Sequence, residues 1–249
     1  MLPDLCQDLF AQLREPFTGE ILFDHLTDLV FFFKNRAGAY VVVNRSLAER
    51  CGFQRKSDLI GKTADQVYPE PLGQRYRQQD DNLLQTGKPF LNQLELQIYP
   101  SRSTGWCITH KVPLKGKQQE VVGLVGISKD LHAPSEKSED YSPVAETIQY
   151  IQTHFDYPLK ISDLARRADL SAYQFEQRMY RIFELTAGQF IQKVRMDAAV
   201  RRLEDTGDAI VQIALDCGYS DQSTFSRQFK QVVGLSPGQY RRLKVEADL

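Results

Sequence analysis

The strongest constraint on this chain is a change of hydrophobic period across one polar segment. From His132 to Pro143 the sequence runs His-Ala-Pro-Ser-Glu-Lys-Ser-Glu-Asp-Tyr-Ser-Pro, rich in proline, serine and charge and nearly devoid of aliphatic side chains. Such a composition reads as a linker. Before it lie short β-rich runs bounded by glycines and prolines: Leu29 to Phe33, Tyr40 to Val43, Leu91 to Ile98, Trp106 to Val112 and Val121 to Ile127. After it, in Ile161 to Ala168, Gln189 to Leu203 and Ile210 to Cys217, apolar residues recur three and four apart, the period of helices packed on one face. The expected fold class is therefore α+β, with an antiparallel sheet and flanking helices first and an all-α domain second. The divisions are 1–18 for an N-terminal helix, 19–131 for the sheet domain, 132–143 for the linker and 144–246 for the helical domain.

The N-terminal helix rests on Leu2, Leu5, Cys6, Leu9, Phe10 and Leu13, which share one stripe, with Pro16 ending it. It either packs on its own domain or forms a coiled pair with a second copy.

Composition excludes several classes. A chain of 249 residues that is 42% hydrophobic and 25% charged can bury real cores, which argues against disorder. The four cysteines, Cys6, Cys51, Cys107 and Cys217, form no CxxC pair and have no histidine at zinc spacing, so neither a metal site nor a disulfide framework is expected. No apolar run approaches the ~20 residues of a membrane span, and no basic leader opens the chain, so a cytoplasmic protein without a membrane partner is expected. No glycine-rich phosphate loop or nucleophile elbow is present, and His25, His110, His132 and His154 are dispersed, so no enzyme is expected. The formal net charge of -1 disfavours a polyanion partner at first sight. Charge acts locally, however, and Gln222 to Lys244 holds Arg227, Lys230, Arg241, Arg242 and Lys244 with no acid at all.

Two segments of the helical half share one plan. In the first, Ile161 to Ala168 forms a short helix, Asp169-Leu170 a turn, and Ser171 caps a helix from Ala172 to Phe183. In the second, Ile210 to Cys217 ends at Gly218, suited to a left-handed C-cap, and Asp221 caps Gln222 to Val233. Ala165 and Ala214 are small where two helices of a helix-turn-helix cross. The string Ile213-Ala214, Gly218-Tyr219, Ser223, Phe225-Ser226-Arg227, Phe229-Lys230, Gly234, Ser236-Pro237, Tyr240-Arg241 resembles the second helix-turn-helix of AraC/XylS-type transcription regulators. The first unit is similar, with Gln177 where that family usually has Arg, Met179 for its Phe and Glu184 for its Gly.

The resemblance implies a transcription regulator that binds double-stranded DNA, with RNA polymerase and a second copy of the chain as protein partners. A helix from Ala187 to Leu203 would be roughly 25 Å long, enough to set two recognition helices about one DNA turn apart. Because Phe225 and Phe229 repeat at i and i+4 and must face inward, Gln222, Ser223, Ser226 and Arg227 turn outward. Gln222, Ser223 and Ser226 are expected at base edges. Arg227 would read guanine, meet a phosphate or pair with an Asp of its own module, and Lys230 and Arg241 complete the expected DNA-binding set. In the first unit Phe175 and Met179 face inward, leaving Ala172, Tyr173, Glu176 and Gln177 for the groove, where Glu176 could accept from a cytosine amine.

In the β half, Phe31 to Asn44, Leu59-Ile60-Gly61-Lys62, Pro113-Leu114 and Val122 to Leu131 resemble a PAS domain, which implies five antiparallel strands. Asn35 and Gly38 suit the first hairpin turn, and Gly123 and Gly126 leave room for close packing. The cofactor is unknown: Gln66 to Pro71 lacks the cysteine of flavin-adduct relatives, and the long helix from Leu72 to Leu84 lacks the histidine of haem-binding ones. His25 is expected in an early helix and His110 in a strand, as structural residues. Asp130, near the end of the last strand, either transmits a signal by fixing that strand end or is a solvated terminus. The leading reading is a regulator whose PAS domain senses a signal or small molecule and modulates DNA binding or dimerisation. Its rivals are a constitutive regulator whose PAS domain only assembles, and a flavin or haem redox protein.

Overall fold

The structure is a computed structural model and describes residues 9–14, 16, 18–98, 104–131 and 141–245. Of the expected N-terminal helix, Leu2, Leu5 and Cys6 lie outside the described residues, as does 132–140 of the expected linker. Residues 9–11 are helical, and the turn closes with the amide of Leu13 donating to the carbonyl of Phe10 (3.3 Å), before Pro16 is reached.

The sheet unit runs α1 (Glu20–Phe23), β1 (Leu29–Asn35), β2 (Tyr40–Val43), α2 (Arg45–Arg50), α3 (Ala64–Val67), α4 (Leu72–Thr86), β3 (Phe90–Ile98), β4 (Thr104–Lys115) and β5 (Val121–Asp130). Its five strands take the order β2-β1-β5-β4-β3. Strand β1 is central to the packing and pairs antiparallel on both sides, Phe32 opposite Val43 and Phe31 opposite Ile127. The β1–β2 turn forms because Asn35 Oδ1 accepts from the amides of Ala37 and Ala39, both at 3.0 Å, while Gly38 takes φ 74°. Opposite β1, a Cβ on Gly126 would come within 2.5 Å of the Phe32 ring, so the last strand needs its glycine there.

Alternation along β1 sends Val30 and Phe32 into a core with Tyr40, Val43, Leu47, Leu59, Leu83, Leu84 and Leu124. Each fully buried leucine here contributes about 1.5–3 kcal/mol. Phe31, on the opposite side of the strand, stacks on Phe23 at 4.0 Å. Asn44 is fully buried and fully used. Its Oδ1 accepts from the amides of Phe31 (3.0 Å) and Leu47 (3.2 Å), and its Nδ2 donates to the carbonyls of Phe23 (3.1 Å) and Leu29 (2.7 Å), so one side chain caps α2 and joins it to α1 and β1. His25 falls in the turn after α1 rather than in a helix, because the helix ends at Phe23. His110 lies in β4 as expected.

The helical unit begins with a 3-10 turn at Ser142–Val144, already inside the expected linker, and continues as α5 (Ala145–Thr153), α6 (Ile161–Arg167), α7 (Ala172–Phe183), α8 (Ala187–Asp205), α9 (Ile210–Asp216), α10 (Gln222–Val233) and α11 (Pro237–Val245). The two halves repeat each other further than the helix-turn-helix plan alone. Phe175 and Met179 in the first half match Phe225 and Phe229 in the second, all four fully buried. Leu185 matches Leu235, and Phe190 matches Tyr240. The helix that follows each unit opens with the same reciprocal cap. Thr186 accepts from the Gln189 amide while Gln189 Oε1 accepts from the Thr186 amide, and Ser236 and Gln239 do likewise. Among the described residues, no helix is long and apolar enough to cross a membrane.

Candidate nucleic-acid interface

Each helix-turn-helix is set by the same backbone geometry. In the first, Asp169 takes φ 54° and the amide of Leu170 returns to the carbonyl of Ala165 at 3.0 Å. In the second, Gly218 takes φ 78° and the amide of Tyr219 returns to the carbonyl of Ala214 at 3.0 Å. Ala165 and Ala214 are buried, consistent with the close crossing that small side chains permit. Recognition helix α7 is opened by Ser171, which accepts from the Gln174 amide at 3.2 Å. Helix α10 is opened by Asp221, which accepts from the Thr224 amide at 2.7 Å. That amide and then the Thr224 hydroxyl hold the Asp221 carboxyl below the ordinary carboxylate range, so the cap is ionised at neutral pH. The caps matter because four backbone amides at each helix start would otherwise lack partners.

With Phe225 and Phe229 locked inward, Gln222, Ser223, Arg227 and Lys230 stand exposed on α10, and Ser226 is half-buried among them. On α7, Tyr173 and Gln177 are exposed, Tyr173 by 74%. Tyr180, one further turn along and also exposed, extends that face with a second aromatic ring that periodicity alone did not single out.

Two residues expected at DNA are engaged inside the domain. Glu176 is half-buried and its Oε2 accepts from the amide of Ala187 at 3.0 Å, so it caps the start of α8. The helical wheel placed it off the core but could not show that the next helix begins beside it. Arg241 is half-buried and donates from Nη2 to the carbonyl of Asp208 at 2.7 Å, which ties α11 to the loop before α9. Asp130 closes β5 and is half-buried.

The two units are held in register by α8, which at 19 residues is about 28 Å long. Arg195 on α8 donates to the carbonyls of Phe155 (2.8 Å) and Tyr157 (3.0 Å) before the first unit, and its guanidinium lies 5.6 Å from the Tyr219 ring in the second. Farther along, Arg202 pairs with Asp208 at 2.9 Å and with Asp216 on α9 at 2.5 Å. One face of α8 therefore fixes both modules at guanidinium forks, which are planar and resist rotation.

A capped pair of helix-turn-helix units joined by one helix defines the DNA-binding class of α-helical regulators. A family model described as a helix-turn-helix domain matches residues 164–243, and one described as a PAS fold matches 23–136. The regulatory protein SoxS of Salmonella typhimurium is 37% identical over 95 residues, 38% of this chain and 88% of SoxS. The melibiose operon regulatory protein of Escherichia coli is 32% identical over 120 residues, 48% of this chain and 40% of that protein. Among solved structures, the C-terminal domain of AraT, a response regulator from Geobacillus stearothermophilus, is 32% identical with a TM-score of 0.41, covering 43% of this chain and 88% of that domain. The chain belongs to the AraC family of transcription regulators, with a PAS fold ahead of its helix-turn-helix domain. It spans 40% or less of the length of the longer relatives it matches.

Proposed function

We propose that the protein binds double-stranded DNA sequence-specifically through both helix-turn-helix units and regulates transcription, and that its PAS fold senses a small molecule and modulates DNA binding or self-association. The observation that carries the DNA-binding reading is the outer face of α10. It presents Gln222, Ser223, Arg227 and Lys230 from a helix whose other face is locked by Phe225 and Phe229, in a stretch with no acid from Gln222 to Lys244. Gln222, Ser223 and Ser226 would contact base edges, Arg227 a guanine or a phosphate, and Lys230 a phosphate. In the first unit Tyr173 and Gln177 take the corresponding roles, Tyr173 through apolar contact with a thymine methyl. Arg241 is left out of the contact set because its guanidinium is committed to Asp208. RNA polymerase remains the protein partner that the family membership suggests.

The test is recovery of DNA from sheared genomic fragments by the full-length protein at two salt concentrations. Enrichment of a few discrete fragments, weakened steeply by salt, supports the reading. Equal recovery of all fragments refutes it.

A second reading, in which the PAS fold serves only to pair two chains, draws on Val41, Leu91, Val112 and Val122, exposed on four different strands. Sedimentation of the full-length protein with and without a bound small molecule separates the two readings. A dimer whose mass and DNA affinity ignore every small molecule offered supports assembly alone.

A further inference from the structure

Most of β3 and the start of β4, the described residues of 92–98 and 102–108, form one compact unit with the helices. Polar contacts join them to Gln189, Lys193 and Asp197, spaced four apart on one stripe of α8. Trp106 on β4 is 8% exposed, and its indole Nε1 donates to Asp197 Oδ1 at 2.7 Å. Lys193 donates to Asp197 Oδ2 at 2.7 Å, and its ammonium lies 5.3 Å from the centre of the Trp106 ring. Two turns before Asp197, Gln189 Nε2 donates to the carbonyl of Asn92 on β3 at 2.9 Å. Asn92 takes φ 53°, a left-handed conformation inside a strand. Trp106 is held through its backbone as well, its carbonyl accepting from the amide of Leu131 at 2.8 Å, just past the end of β5.

Elsewhere α8 is apolar on several sides, with Phe190, Ile191, Met196, Ala198, Ala199 and Leu203 buried. A helix covered around most of its circumference belongs inside a fold. Packing alone would be served at 106 by a phenylalanine or a leucine. A buried indole whose N–H meets a carboxylate does more, because the bond is directional and charge-assisted and fixes β4 at one register along the helix. The Lys193 ammonium over the ring face restrains the indole from a second direction. The same helix holds both helix-turn-helix units through Arg195 and Arg202. We infer that Trp106 is a positioning residue for DNA binding: by holding the Gln189–Lys193–Asp197 stripe it braces α8, and through α8 the spacing of the two recognition helices. The internal repeat locates the brace at the first unit, since Gln239, the counterpart of Gln189, caps Ser236 without a strand contact among the described residues. The inference deepens the proposed modulation of DNA binding by the PAS fold and rests on that reading, giving a shift of β4 a direct route to α8.

Trp106 is the one tryptophan in the sequence, so its fluorescence reports the contact in the full-length protein. The wild type should show the blue emission of a shielded indole, protected from acrylamide, and keep it when a duplex binds. Asp197→Ala should shift that emission to the red and admit the quencher. Asp197→Asn, which keeps an oxygen for the indole N–H, should leave both unchanged.

The functional readout is the preference for spacing between the two DNA blocks, measured on duplexes selected by the wild type and on the same duplexes lengthened by one base pair between blocks. The wild type should favour the selected spacing by about tenfold, and Trp106→Phe and Asp197→Ala should each reduce this to about threefold or less. The double variant should lose no more than either single one, because both remove the same contact. Asp197→Asn should retain the preference. Affinity for a duplex carrying only the second unit's block should stay within about twofold in every variant, since the brace lies at the first unit. Equal weakening on all duplexes with the spacing preference intact overturns the positioning role, as does wild-type emission that turns red on binding DNA. A wild type that distinguishes no duplex sequences, while Asp197→Ala still shifts the emission, refutes the DNA-binding reading instead and leaves the contact standing.

Discussion

Gly218, in the turn of the second helix-turn-helix, lies against the backbone of Phe155 in the loop before the first: a Cβ on the glycine would come within 2.6 Å of the Phe155 carbonyl oxygen. That carbonyl already accepts from Arg195 on the linking helix. The glycine is needed twice, for its φ of 78° and for this close approach. Gly218→Ala is therefore expected to destabilise the helical unit by about 2 kcal/mol or more, lowering its thermal midpoint by roughly 8 °C or more. Circular dichroism on heating would measure this, and an unchanged midpoint would contradict the contact.

Glu184 gives the opposite sign. It ends α7 in the left-handed region at φ 57°, where the second unit has Gly234 at φ 91°. A side chain with Cβ is strained there by ~1–2 kcal/mol, part of which glycine loses again to unfolded-chain entropy. Glu184→Gly is expected to stabilise by about 0.5–1 kcal/mol in chemical denaturation, and a loss of stability would show that contacts of the Glu184 side chain outweigh its backbone strain.

On DNA, residues of one helix should separate by effect. Lys230→Ala is expected to lower the slope of log affinity against log salt by about one, with little change in sequence preference. Gln222→Ala should instead relax preference at particular base positions at a cost of about 1–3 kcal/mol for the preferred site. Fluorescence anisotropy over a salt series reads both, and identical behaviour of the two variants would refute the division of roles.

Stability of the sheet unit should rise with pH between about 8 and 9. Lys34 in the folded protein releases its proton near 8, whereas in the unfolded chain it holds it to its ordinary value of 10.5. Over that window the unfolded state binds more protons, so stability climbs. Above 9 the Cys51 thiol, raised to about 11 chiefly by desolvation, acts in the opposite direction. On the acid side, Asp80 contributes stability above its unfolded value, lost as pH falls through its lowered folded one. Urea denaturation at pH 7.5, 8, 8.5 and 9 checks this, and Lys34→Met should remove the climb. A wild-type stability that falls across the window contradicts the assignment.

The parts of the fold that local chemistry dictates could be read from sequence. Asp221, Gly218 and the Phe225–Phe229 pair announced the second helix-turn-helix to within a residue, because caps, left-handed turns and an i, i+4 stripe are encoded within a few positions. The five strands were visible for the same reason, although β4 runs to Lys115 and β5 to Asp130 by pairing with neighbours. The internal partners of Glu176 and Arg241, the Ala187 amide and the Asp208 carbonyl, were not legible because they are brought near only by tertiary packing. The same holds for Lys34, Asp80 and Lys111. In sequence they look like three solvated charges, and only the approach of β1, α4 and β4 puts them together.

The central claim, that both helix-turn-helix units read bases, is tested most directly by selecting duplexes from a random pool with the wild-type protein, Gln222→Ala and a Tyr173→Ala/Gln177→Ala double variant. The account predicts a wild-type motif of two blocks about 10 base pairs apart, one block fading in Gln222→Ala and the other in the double variant. A single block, or a motif that all three proteins share unchanged, would contradict it.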